Sequence, residues 1–199
     1  MTAPVTAPRK TVLIGGGARS GKTAFALRLA RGLGERRVYI ATATAGDGEM
    51  AARIARHRQE RGAAFETVEE PLRLPRALRE LARCDVVVVD CLTLWLSNLL
   101  LRDADPDAAL READDLADLA PSLPFHLLLV TNEVGMGLVP ETPLGRMFRD
   151  VAGRVHQRLA RASDEIYLAA LGVMLRLHPA PLQAVMEEAA EPRGRVAGV

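Results

Sequence analysis

The sequence predicts an α/β fold: a mostly parallel sheet flanked by helices, with an antiparallel hairpin near the C-terminus. Three observations predict it. Short apolar runs, Thr11–Ile14, Val38–Ala43, Val86–Val89 and Phe125–Thr131, alternate with segments of helical character, as in sheets built from right-handed crossovers. The first run ends in Gly15, Gly16 and Gly17 and leads directly into a helix-forming stretch. Near the end, Glu165–Leu171 and Val173–Leu177 flank Gly172 in a strand–turn–strand pattern.

The elements follow in order. Ala24–Leu33 favours helix, with Gly34 as its C-cap. Asp47 is placed to cap a helix from about Glu49 to Arg61, stopped by Gly62. Leu72–Ala82 is amphipathic, Asp107–Leu119 is a helix of charged and small residues, and Pro143–Ala162 is a long arginine-rich helix. Residues 10–178 read as a single domain. Residues 1–9 read as a loose arm, and 179–199, rich in Pro, Ala, Glu and Arg, as a flexible or weakly helical tail.

A chain of 199 residues accommodates one domain with a sizeable core. Lys and Arg total 26 against 25 Asp and Glu, a net charge of +1, which gives no sign of a nucleic-acid surface. Cys84 and Cys91 match no zinc spacing and are too few for a disulfide framework, so two reduced core thiols are expected. The N-terminus has no apolar stretch of the signal-peptide kind. The greasiest run, Val86–Leu101, is broken by Asp90, Ser97 and Asn98 and reads as a buried strand followed by a helix or turn, not a membrane span. A cytoplasmic protein is the expectation.

Gly16, Gly17, Ala18, Arg19, Ser20, Gly21, Lys22 and Thr23 fit the pattern G-x-x-x-x-G-K-[ST], between an apolar strand and a helix. The chemistry needs these residue types. Glycines let backbone N–H groups converge on phosphate oxygens, and the helix N-terminus adds partial positive charge. Lys22 reaches the β- and γ-phosphates, and the Thr23 hydroxyl is a ligand for Mg²⁺. Asp90, ending VVVVD at the strand edge where ligands collect, is the candidate second metal partner; the alternative is an aspartate that caps the next helix.

In the segment Glu49–Arg61, helical spacing sets Arg53, His57 and Arg61 in one stripe. Two flanking cations disfavour the imidazolium, and a neutral imidazole is a competent nucleophile toward phosphorus. The same arginines suit a polyphosphate. The alternative is a solvated charged face that happens to include a histidine. Asn132, Glu133, Gly135 and Gly137 read equally as a structured turn or as a loop over a ligand.

Taken together, GGARSGKT, YIATA, EMAARIARHRQER, DCLTLWLSNLL, the stretch from Thr131 to Ala160 and SDEIYL closely resemble the bifunctional adenosylcobinamide kinase/adenosylcobinamide-phosphate guanylyltransferase family, in order over roughly residues 10–177. The resemblance implies a RecA-like domain assembled as a homotrimer. It implies that a nucleoside triphosphate, ATP or GTP, phosphorylates adenosylcobinamide. GTP then passes GMP, through a histidine, to adenosylcobinamide phosphate. His57 occupies the position of that histidine. The nucleotide site implied comprises the cradle, Thr42, Ala43 and Thr44 at the second strand's end, Arg58 and Arg61, Glu69 and Asp90. Gly48 stands where the family usually has an acidic residue, Phe65 where Trp is frequent, and Thr142 and His156 where Asn is frequent; His156 reads as a surface or interface residue of the long helix. Two rival functions share the cradle: a plain small-molecule kinase, which needs no histidine nucleophile, and a nucleotide-dependent ATPase switch acting on a partner.

Overall fold

The four apolar runs that read as buried strands stand side by side at the centre of one sheet. In the computed structural model, which describes residues 9–44, 48, 55, 58, 59 and 61–185, the strands are β1 (Thr11–Gly16), β2 (Arg37–Ala41), β3 (Glu66–Glu69), β4 (Val86–Asp90), β5 (His126–Val130), β6 (Glu165–Ala170), β7 (Val173–His178) and β8 (Gln183–Val185). Their spatial order is β3-β2-β4-β5-β1-β6-β7-β8. The six from β3 to β6 are parallel; β7 and β8 add antiparallel partners.

The centre is apolar on both faces, and strand alternation divides it into two cores. Leu13, Val38, Ile40, Val87, Val89, Leu127 and Leu129 face one layer of helices. That layer holds α2 (Leu74–Glu80), α3 (Leu92–Asp103), α4 (Pro106–Leu119) and α5 (Pro143–Arg161). Val12, Ile14, Tyr39, Val86, Val88, Leu128 and Val130 face the other side, covered by α1 (Lys22–Leu33) through Phe25, Ala26, Leu27 and Ala30. Each such side chain stabilises by about 1.5–3 kcal/mol when fully buried. Cys84 and Cys91 are buried free thiols, and burial pushes both up in pKa, as inert core cysteines require.

Two helix starts follow cap chemistry. Asp105 caps α4, accepting from the N–H groups of Asp107 (2.9 Å) and Ala108 (3.1 Å), with Pro106 at the first helical position. Thr142 caps α5 by accepting from Gly145 N–H at 3.1 Å. Trp95 is fully buried, and its indole N–H donates to Leu72 O at 2.9 Å.

The structure departs from the sequence reading in four places. Glu66–Glu69 forms β3, a strand of ETVE with no apolar run to announce it, sited at the sheet edge where short charged strands belong. Gln183–Val185 pairs with β7 as the other edge strand, where only a tail was expected. Helix α1 begins at Lys22, inside the glycine motif, because Gly21 takes a left-handed φ of 87°. Gly34 follows α1 as expected, but its φ of 173° is extended, not left-handed. It is small for another reason: a Cβ there would lie 2.3 Å from Asp85 Cβ.

Candidate active site

The cradle grows out of the parallel centre. Past the end of β5 the chain continues to pair with β1: Thr131 N–H donates to Ile14 O (2.9 Å) and Glu133 N–H to Gly16 O (3.0 Å). The glycine loop thus leaves the sheet between two buried strands. Gly16 has a φ of 153°, and a Cβ on it would meet Ala169 O and Ser20 Oγ at 2.8 Å, so no larger residue fits the turn. Gly17, Ala18, Arg19 and Gly21 are exposed, with Arg19 in the left-handed region at φ 57°. Lys22 is only 7% exposed and arches back over the loop, its Nζ donating to Gly17 O at 2.9 Å. Ser20 Oγ is buried with no hydrogen-bond partner. An orphaned hydroxyl inside a glycine cradle is an unmet donor of the kind a phosphate oxygen satisfies.

Asp90 and Thr23 meet as expected. Thr23 Oγ1 donates to Asp90 Oδ2 at 2.8 Å. Asp90 does not cap α3: the N-cap position is Cys91, and no side-chain cap bond forms. A hydroxyl and a carboxylate oxygen suit Mg²⁺, which takes few protein ligands and completes its shell with phosphate and water. Among the described residues no cluster of three or more His, Cys, Asp or Glu competes as a metal site.

Tyr39 is a site residue that sequence reasoning missed. Its OH donates to the same Asp90 Oδ2 at 2.9 Å. Burial, then the Asp90 charge, push its pKa far above the usual tyrosine value, so it stays a neutral donor. The signal was strand alternation: Tyr39 pairs with Val88, two residues before Asp90, and so shares its face of the sheet. Arg61 stacks its guanidinium on the Tyr39 ring, 3.9 Å from the centroid, and is 5% exposed. A chain of contacts therefore runs Arg61–Tyr39–Asp90–Thr23, from the end of the basic segment to the cradle.

The remaining expected residues sort differently. Arg58 pairs with Glu69 at the end of β3, both side chains well exposed. Thr42 is wholly buried, and its hydroxyl both donates to Cys91 O (2.7 Å) and accepts from Cys91 N–H (2.8 Å), so it locks β2 to the start of α3 rather than facing solvent. Ala43 is half-buried and Thr44 exposed. His57 lies outside the described residues, as do Asp47, Arg53 and most of Glu49–Arg61; of that segment Ala55, Arg58, Gln59 and Arg61 are helical, and Gly62 follows at φ 61°.

His156, read as a surface or interface residue, is half-buried and turns inward: its Nε2 lies 2.7 Å from Thr131 Oγ1, and burial lowers its pKa. On the other face of the strand end, Asn132 Nδ2 donates to Thr93 Oγ1 at 2.9 Å. Beyond Gly135 the loop to α5 exposes Met136, Leu138 and Val139 almost as free side chains.

Residues 12–177 match the family described as cobinamide kinase / cobinamide phosphate guanyltransferase. The chain is 47% identical over 173 residues to the bifunctional adenosylcobalamin biosynthesis protein CobP of Pseudomonas aeruginosa, covering 85% of this chain and 98% of that protein. It is 41% identical over 179 residues to the bifunctional adenosylcobalamin biosynthesis protein CobU of Escherichia coli, covering 83% and 98%, and equally to CobU of Salmonella typhimurium. Among solved structures, the RadB recombinase aligns with a TM-score of 0.48 at 18% identity, over 86% of this chain and 80% of that one.

Proposed function

The chain belongs to the cobinamide kinase / cobinamide phosphate guanyltransferase family, and we propose that it carries out both reactions of that family's name at the one cradle built on β1, β4 and β5. The observation that carries this is the convergence of Lys22, Ser20, Thr23 and Asp90 at one strand edge, joined through Tyr39 to Arg61 of the basic segment.

In the kinase step, backbone N–H groups of the cradle and Lys22 hold the β- and γ-phosphates of ATP or GTP, and the acceptor is the hydroxyl of adenosylcobinamide. In the second step, a ring nitrogen of His57 attacks the α-phosphorus of GTP. A P–N bond forms, the bond from that phosphorus to the bridging oxygen breaks, and pyrophosphate leaves. A phosphate oxygen of adenosylcobinamide phosphate then attacks the same phosphorus, the P–N bond breaks, and adenosyl-GDP-cobinamide is released with the imidazole restored. Dividing the transfer in two lowers each barrier. His57 is next to Arg58 and four residues before Arg61 in sequence, and Arg61 reaches the site, which supports this role. Mg²⁺, held by Thr23 and Asp90, supplies charge neutralisation on the phosphates. The exposed apolar loop after Gly135 supports a bulky acceptor entering from that side. We further propose a cytoplasmic homotrimer as the working form, on the family resemblance alone.

The test is incubation with GTP labelled at the α-phosphate, then peptide mapping. Wild-type protein takes up an acid-labile, alkali-stable label at His57; His57→Ala takes up none yet still phosphorylates adenosylcobinamide. Label on the variant assigns the nucleophile elsewhere, and no label on wild type selects a plain kinase.

A further inference from the structure

Phosphoryl transfer to an alcohol releases a proton that a positioned base must take. Few carboxylates among the described residues stand at the sheet edge that carries the cradle. Asp90 Oδ2 already accepts from Thr23 and Tyr39. Glu69 is paired with Arg58 at the far edge. Glu70 Oε1 accepts the N–H groups of Leu72 (2.9 Å) and Arg73 (2.8 Å).

Glu133 is different. Its own N–H is bonded to Gly16 O at 3.0 Å, which fixes its backbone against the first residue of the cradle. Its Oε1 accepts from Gly135 N–H at 2.6 Å, which fixes the carboxylate against its own loop. No N–H or O–H of a described residue donates to Oε2; His156 Nδ1, on a ring held by Thr131 and lowered in pKa by burial, lies 3.9 Å away. The carboxylate is 28% exposed, so solvent and substrate reach it. A cleft of about 360 Å³ begins two residues past Glu133, at Gly135, and continues along α5 over Gly153 and Gln157, with Arg149 and Arg154 beside them and its one carboxylate, Asp150, paired with Arg149.

Resting on the kinase half of the function proposed above, we infer that Glu133 is the general base of phosphoryl transfer. Its Oε2 takes the proton of the acceptor hydroxyl as that oxygen bonds to the γ-phosphorus. The bond from the γ-phosphorus to the β–γ bridging oxygen breaks, and the nucleoside diphosphate leaves with the electron pair. The acceptor alcohol lies over the Gly135 cleft, on the α5 side of the sheet edge.

Glu133→Gln keeps the shape, and its side-chain carbonyl still accepts from Gly135 N–H, but it cannot take a proton at neutral pH. Its kinase kcat on adenosylcobinamide falls by about 10²–10⁴-fold, with little change in KM for the nucleotide. Self-guanylylation by labelled GTP falls far less. Glu133→Asp, which withdraws the carboxylate by one methylene, loses turnover less steeply. Turnover within about tenfold of wild type in Glu133→Gln, or equal losses in kinase and self-guanylylation, overturns the assignment. A wild-type chain that takes label from GTP but phosphorylates no acceptor removes the kinase reading and the base with it. A kinase-competent wild type with an active Glu133→Gln removes the base alone.

Discussion

Tyr39 does its work through one oxygen atom. Its OH and that of Thr23 both donate to Asp90 Oδ2, so the carboxylate is aimed at the cradle from two sides. Bonds to a charged group contribute about 1.5–3 kcal/mol. Tyr39→Phe keeps the ring beneath Arg61 and removes only the donor. The expected outcome is a loss of about 1–3 kcal/mol in urea unfolding with unchanged m-value; an unchanged midpoint means Asp90 is held in place without it. The glycine motif and Asp90 were plain in the sequence because their chemistry is local: a turn that needs glycine, a strand that ends in acid. Tyr39 and the inward-turned His156 were not, because each is defined by a partner far along the chain, Asp90 and Thr131 respectively. Only strand register brings such pairs together, and one sequence does not state register.

Among elements, the junction of α1 and β2 depends on a glycine for space alone. Gly34 lies against Asp85, which accepts from the N–H groups of Glu35 (3.2 Å) and Arg36 (3.0 Å) and pairs with the Arg36 guanidinium. Those bonds hold the Asp85 carboxyl well below the usual carboxylate range. A methyl at Gly34 must push the two backbones apart. Gly34→Ala therefore lowers stability by about 1–3 kcal/mol, the usual range for overpacking, measured as a shift in the urea midpoint; a variant of wild-type stability shows that the junction yields freely. At this scale the central strands and long helices were legible from apolar runs and periodicity. The edge strands β3 and β8 were not. ETVE carries no alternating apolar face, and β8 is three residues long, so pairing with a neighbour defines them rather than composition.

For the whole molecule, one buried and one half-buried imidazole contribute to the response to acid. His126 is lowered by burial, then by Arg9 and Lys10, and accepts Lys10 N–H at Nδ1. His156 is lowered by burial against a partly opposing pull from Glu133. The unfolded chain binds protons at these rings from about pH 6.5 downward, while the folded one resists until its lower values. Their contribution is therefore complete above 6.5 and is lost as pH falls from there. Urea midpoints should be level between about pH 7 and 8, decline from about pH 6.5 toward 5, and decline less in His126→Asn or His156→Asn. A flat profile across that window, or identical slopes in the variants, contradicts this.

The order of strands carries one more consequence. The cradle strand β1, the spacer β5 and the acid-bearing β4 are interior neighbours, whereas β3 and β8 form the rim. Drift, extension or fusion at the rim can proceed while the chemistry stays put, because no interior spacing has to change. The same sheet thus tolerates novelty at its margins and forbids it at its middle.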